Sequence, residues 1–147
     1  MGTRNNGNIS LLFFLLFSVL ISKGSSKYFD PVTVHVENNI EGDGVKLHIH
    51  CRSRDDDLGE RTLGQGEEWH WQFRVIPTRT YFWCDLRWYD KKDHRWYSGN
   101  FDVYHASGIV NKYVWLCALN CEWSYRRDGA YLYRIHEKKW QRRAIWH

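Results

Sequence analysis

The sequence predicts an all-β protein, a small antiparallel β-sandwich of about six to eight short strands with two disulfides. Three observations predict it. Hydrophobic and polar residues alternate through most of the chain after residue 31, aromatic residues make up 17% of the 147 positions while Met occurs once, and four cysteines follow an apolar leader. Alternation with period two marks a strand with one buried and one wet face. Ring and β-branched side chains suit strands, whereas Leu, Ala and Met, which helical bundles need, are scarce. The wealth of rings also excludes intrinsic disorder. A mean hydropathy of −0.63, with no apolar run of about 18 residues, excludes a multispanning membrane protein.

Residues 1–26 read as a secretory signal peptide. Arg4 supplies a positive start, Ile9 to Ile21 is a 13-residue apolar stretch, and Ser22, Gly24, Ser25 and Ser26 offer the small residues of a cleavage site. Residues 27–147 then form one secreted, extracellular domain, since about 121 residues have room for one core. With Arg4 and Lys23 removed, 19 Lys and Arg face 17 Asp and Glu. That mixed surface is not the basic footprint of a nucleic-acid binder. The sequon Asn8-Ile9-Ser10 lies inside the leader, so the mature domain is expected to carry no N-glycan.

The strands follow in order. Val32, Val34 and Val36 form the first inward row, and Val45, Leu47, Ile49 and Cys51 the second. Trp69, Trp71, Phe73 and Val75 form another, then Phe82, Cys84, Leu86 and Trp88. Turn residues separate them at Asn38-Asn39, Gly42-Asp43-Gly44, Asp55 to Gly59, Pro77-Thr78 and Ser98-Gly99-Asn100. Asp128-Gly129, between Trp123-Ser124-Tyr125 and Tyr131-Leu132-Tyr133, is the clearest hairpin. Trp69, Trp71, Trp88 and Trp123 fall on inward rows and are expected in the core. Glu137 to His147, basic and Trp-containing, reads as either a final strand with a tail or a surface of its own.

An even number of cysteines in an exported domain points to two disulfides, among Cys51, Cys84, Cys117 and Cys121. On one extended strand Cys117 and Cys121 would lie about 13 Å apart, outside disulfide reach. Two long-range connectivities are left, and the nested one, Cys51–Cys121 with Cys84–Cys117, is preferred because it joins an early strand to a late one.

The run His50-Cys51-Arg52-Ser53-Arg54-Asp55-Asp56-Asp57-Leu58-Gly59 resembles the histidine–cysteine and DDDLG box of the plant self-incompatibility S1 family, the stigma S-protein homologues. The opening strand from Val32 to Asn39, Trp69 to Phe73, Thr80 to Cys84, Phe101 to Tyr104 and the closing cysteines follow in the family's order. The resemblance implies a small secreted β-sandwich with two disulfides. It also implies a protein ligand of cell–cell signalling with an unidentified cell-surface receptor as partner, self-pollen rejection being the poppy member's role. The alternative is a secreted carbohydrate or cell-wall binding module using Tyr81, Trp83 and Tyr89, the outward row of their strand.

Chemical sites have less support. His48 and His50 share one strand face at a spacing that could grip a metal, but no third ligand is placed beside them. Asp55-Asp56-Asp57 lacks the alternate-ligand pattern and glycine of a calcium loop; a turn paired with Arg52 and Arg54 is expected instead, with Leu58 pinned to the core and Gly59 at positive φ. There is no G-x-S-x-G elbow and no free thiol once both disulfides form. The expectation is a monomeric binding protein with no catalytic residues, metal or cofactor, and no membrane insertion of the mature chain.

Overall fold

The computed structural model describes residues 30–106 and 112–147; the expected signal peptide lies outside the described residues. Two sheets face each other across one core. The first has the order β4-β1-β7-β8-β9 and the second β3-β2-β5-β6. In sequence the elements are β1 (Val32–Asn38), β2 (Leu47–Ser53), β3 (Asp57–Leu63), β4 (Glu68–Phe73), β5 (Tyr81–Asp90), β6 (Arg95–His105), a short helix α1 (Lys112–Cys117), β7 (Asn120–Arg126), β8 (Gly129–Arg134) and β9 (Lys139–Ala144). The sandwich is as expected, with nine strands among the described residues rather than six to eight. One expectation of strand direction fails: β1 and β7 pair in parallel, while the other ladders are antiparallel.

The alternating rows become the core. Val32, Val34, Val36, Trp123, Tyr125 and Leu132 of the five-stranded sheet and Leu47, Ile49, Phe82, Leu86 and Trp88 of the four-stranded sheet are all buried. Trp69 and Trp71 are only half-buried, because β4 is an edge strand with one neighbour. Their rings contact each other at 4.8 Å, and the Arg61 guanidinium covers Trp69 at 5.1 Å from its centroid. The Asp128 hairpin forms as expected, with Arg126 opposite Gly129. A Cβ on Gly129 would stand 2.0 Å from the Ala144 carbonyl oxygen, so only glycine lets β9 close over the turn.

The chain end is a strand and a plug. β9 pairs with β8, and beyond it Trp146 is buried, its indole N–H donating to the Arg126 carbonyl at 2.8 Å. Its ring lies 5.3 Å from Phe101 and 6.1 Å from both Trp88 and Tyr125. His147 exchanges backbone hydrogen bonds with Ser98 of β6 at 2.8 and 3.1 Å. The tail of a strand in one sheet thus caps a strand of the other.

Two buried polar side chains tie loops to this frame. Asn38, fully buried at the end of β1, donates through Nδ2 to the Leu63 carbonyl at 2.9 Å and the Val45 carbonyl at 3.4 Å, and its Oδ1 accepts from the Ile40 N–H at 3.1 Å. Asp90, at the end of β5, accepts from the backbone N–H of Lys92 at 2.8 Å and of Asp93 at 3.4 Å, and pairs with the Arg127 guanidinium. Burial works against the charge of Asp90, but those N–H groups and Arg127 outweigh it and hold the carboxyl below the ordinary range.

The disulfides correct the sequence reading. They join Cys51 to Cys84 and Cys117 to Cys121. Cys51 and Cys84 are direct partners across the β2–β5 ladder with Cα atoms 4.0 Å apart, the close approach of a non-hydrogen-bonded antiparallel pair. Cys117 is not on a strand. It ends α1, Ala118 turns the chain with φ of 53°, its N–H donating to the Tyr113 carbonyl, and Cys121 is the second residue of β7. The reversal brings the two Cα atoms to 4.8 Å. The nested pairing is excluded because Cys51 and Cys84 already occupy adjacent strands of one sheet.

Candidate functional site

The outer face of the four-stranded sheet gathers most of the side chains singled out in the sequence. Because side chains alternate along each strand, β2 presents His48, His50 and Arg52 outward, β5 presents Tyr81, Trp83, Asp85, Arg87 and Tyr89, and β6 presents Trp96, Ser98, Asn100 and Asp102. Register sets them in rows across the sheet. Glu60, His50, Asp85 and Asn100 form one row, Thr62, His48, Arg87 and Ser98 the next, and Asp57, Arg52, Trp83 and Asp102 a third.

Opposite charges and hydrogen-bonding groups meet along and between these rows. Arg52 Nη2 donates to Asp85 Oδ2 at 2.8 Å, and Asn100 Nδ2 donates to Asp85 Oδ1 at 2.5 Å. His50 Nε2 lies 2.6 Å from Asp57 Oδ1, and Arg52 Nη2 lies 3.2 Å from His50 Nδ1. A proton on Nε2 lets that nitrogen donate to Asp57 while Nδ1 accepts from Arg52. The bond from His50, and then the Gly59 N–H, hold the Asp57 carboxyl below its ordinary range. Between β3 and β6 the face dips into a shallow groove of about 530 Å³ lined by His48, His50, Glu60, Asp85, Arg87 and Ser98.

The acidic motif is the turn between β2 and β3. Ser53 Oγ accepts from the Asp55 and Asp56 N–H groups at 3.2 and 2.9 Å, and the Ser53 N–H donates to the Asp56 carbonyl at 2.7 Å. Asp57 Oδ1 accepts from the Gly59 N–H at 2.8 Å, and Leu58 packs against the core. The expected ion pairing differs: Asp55 pairs with Arg79 at 3.0 Å, not with Arg52 or Arg54, because Arg52 turns onto the sheet toward Asp85. Gly59 has φ of 78° and nothing within 4 Å of an added Cβ. Gly59→Ala is therefore expected to cost only the left-handed backbone term, about 1–2 kcal/mol, measurable by urea unfolding.

The three candidate aromatics divide. Tyr81 and Trp83 stack at 5.0 Å and are half-buried, and the Tyr81 hydroxyl donates to Asp102 Oδ1 at 2.5 Å. Burial, then that carboxylate, raise the Tyr81 phenol to about 12. Tyr89 stays exposed and contacts Trp96 at 5.4 Å. Sequence reasoning missed Trp96, which is 54% exposed, lies 6.0 Å from His48 and is covered by Arg87 at 5.6 Å. Its signal was the parity of β6: Phe101 and Val103 point inward, so Trp96, Ser98, Asn100 and Asp102 point out.

With this geometry set out, comparison with known proteins decides the family. The family model of plant self-incompatibility protein S1 matches residues 33–146. The chain belongs to the plant self-incompatibility S1 family. It is 32% identical over 128 residues to self-incompatibility protein S1 of Papaver rhoeas, covering 86% of this chain and 85% of that protein. It is 33% identical over 145 residues to S-protein homolog 29 of Arabidopsis thaliana, covering 97% of this chain and 98% of the relative. With S-protein homolog 2 of Arabidopsis thaliana the identity is 38% over 102 residues, covering 66% of this chain and 56% of that protein. No solved structure matches the chain significantly. The S1 match runs to residue 146, so β9 and Trp146 lie within the family domain.

Proposed function

We propose that this S1-family chain is a secreted protein ligand that binds a cell-surface receptor in plant cell–cell signalling, acting as a monomer and by contact rather than by catalysis. The observation that carries the proposal is the outer face of β2, β5 and β6. There Trp96 of β6 and Tyr89 and Arg87 of β5, two of them the Trp and Arg that dominate protein–protein hot spots, stand exposed, and the Cys51–Cys84 bond locks β5 to β2 beneath them. The Papaver rhoeas relative is named for self-incompatibility, and self-pollen rejection is the form of signalling carried to this chain. Secretion rests on the leader of residues 1–26; among the described residues no helix is long and apolar enough to cross a membrane.

A second reading, carbohydrate or cell-wall binding, is favoured by one feature of the same face. Trp96 offers a ring exposed on the side away from Arg87, beside the groove, whose rim carries the hydrogen-bonding groups of His48, Arg87 and Ser98, the stacking-plus-polar arrangement that sugars use. Binding of the protein to plasma-membrane fractions and to a glycan array separates the two. The receptor reading expects saturable, protease-sensitive membrane binding and no glycan signal; a glycan signal without membrane binding favours the second. Trp96→Ala is expected to weaken membrane binding by about tenfold or more, some 1.4 kcal/mol or above. Its melting temperature should stay unchanged, because the ring contributes little to the core.

A further inference from the structure

We propose that His35, Glu68 and His70 form a binding site for a divalent transition-metal cation, zinc or copper(II), on the outer face of the five-stranded sheet. The three residues come from neighbouring strands by register. His35 of β1 lies directly opposite His70 of β4, and Glu68 is two residues before His70, on the same face. One ligand atom from each lies within 4.8 Å of the others. His35 Nδ1 is 2.6 Å from Glu68 Oε1, His70 Nδ1 is 3.5 Å from the same oxygen, and the imidazole centroids are 5.2 Å apart. An ion with bonds of about 2.0–2.2 Å to nitrogen and oxygen holds its ligand atoms slightly more than 3 Å from one another. Small side-chain rotations on a wet face bring the three donors there, the ion replacing the hydrogen bond between His35 and Glu68.

The donor set selects the ion. Two imidazoles and one carboxylate suit zinc and copper(II), whereas calcium and magnesium take oxygen ligands. The surroundings favour a cation. Glu37 is the register partner of Glu68, and Glu122 of β7 is the register partner of His35, so carboxylates flank the pair on β1 and β7. The other histidine pair differs. His50 sits between Asp57 and the Arg52 guanidinium, a fixed cation where a metal would have to stand, and His48 contacts the Thr62 hydroxyl at 3.1 Å. Three protein donors leave at least one coordination position for water or for a donor from a bound partner. The ion would also clip the edge strand β4 to β1.

Isothermal titration of the untagged protein, produced from its full reading frame through a secretory host, tests the site with zinc chloride and, separately, copper(II) followed by electron paramagnetic resonance. The expected result is one ion per chain at micromolar metal, a higher melting temperature with zinc, and a copper spectrum with nitrogen coupling. His35→Ala and His70→Ala should each weaken binding by a factor on the order of ten or more, and Glu68→Gln should also weaken it. All three variants should keep their metal-free melting temperature, while His48→Ala/His50→Ala binds as the parent does. The proposal is overturned if neither ion binds at micromolar concentration, if binding survives in His35→Ala/His70→Ala, or if it is lost in His48→Ala/His50→Ala instead.

Discussion

Replacing Cys51 and Cys84 together by alanine is expected to lower the free energy of unfolding by about 4 kcal/mol, whereas replacing Cys117 and Cys121 together should cost about 2 kcal/mol. The difference follows from loop length. The first bond spans a sequence separation of 33 and the second a separation of 4, so the first removes more freedom from the unfolded chain. All four cysteines are fully buried, so truncation adds lost packing to both double variants and the difference between them is left to loop length. Guanidinium unfolding of both double variants checks the order. Peptide mapping without reduction checks the pairing itself: a Cys51–Cys121 or Cys84–Cys117 peptide would contradict it.

Asn38→Ala is expected to destabilise the fold by about 3–4 kcal/mol, out of proportion to the few atoms removed. The side chain is a bridge between sheets. It stands at the end of β1 in the five-stranded sheet, and one of its donors reaches Leu63 at the end of β3 in the other. Alanine leaves the Leu63 carbonyl and the Ile40 N–H without this partner in a buried place, the costly half of losing a hydrogen bond. Asn38→Asp should be worse near neutral pH, because a carboxylate would face the Leu63 and Val45 carbonyl oxygens. The carboxyl pKa in that folded variant is therefore raised above its unfolded value. Its stability deficit should shrink as the pH is lowered toward and below the unfolded value, opposite to the usual behaviour of a paired aspartate. Denaturant unfolding at neutral and at mildly acidic pH reads both effects.

The rows from Val32, Leu47 and Phe82 were legible because each belongs to a strand with a buried face and neighbours on both sides, where period two is enforced at every residue. Edge strands escaped. Between Leu58 and Leu63, β3 carries only glycine and polar residues, so Asp57 to Gly59 read as the end of the Asp55 to Gly59 turn and no strand was read after it. Trp69 and Trp71 kept the alternation without full burial. The helix at Lys112–Cys117 is a single turn and a half, too short to show its own period, and it broke the parity on which the cysteine argument stood. The acidic turn was read correctly in outline, including the positive φ of Gly59 and the inward Leu58, since those follow from local chemistry. Its ion pairs were not, because Arg79 comes from the turn before β5 and Asp85 is set beside Arg52 by the β2–β5 register, both far along the chain. The same limit hid the metal-capable histidines: His48 and His50 are neighbours in sequence, but His35 and His70 become neighbours only when β1 pairs with β4.

The parallel pairing of β1 with β7 governs the order in which this sheet can be assembled. Asn39 and Ser124, whose side chains meet at 2.9 Å where the two strands end, are 85 residues apart. Until β7 has been synthesised, β1 has only β4 beside it in that sheet, and a two-stranded ribbon is marginal in water. The closure entropy of that long connection must be met before the pairing returns any stability, which slows folding relative to a chain of hairpins of the same size. The first strand of the domain to be made thus waits for one of the last, and a chain stopped before Asn120 leaves one edge of β1 open to pairing with other molecules.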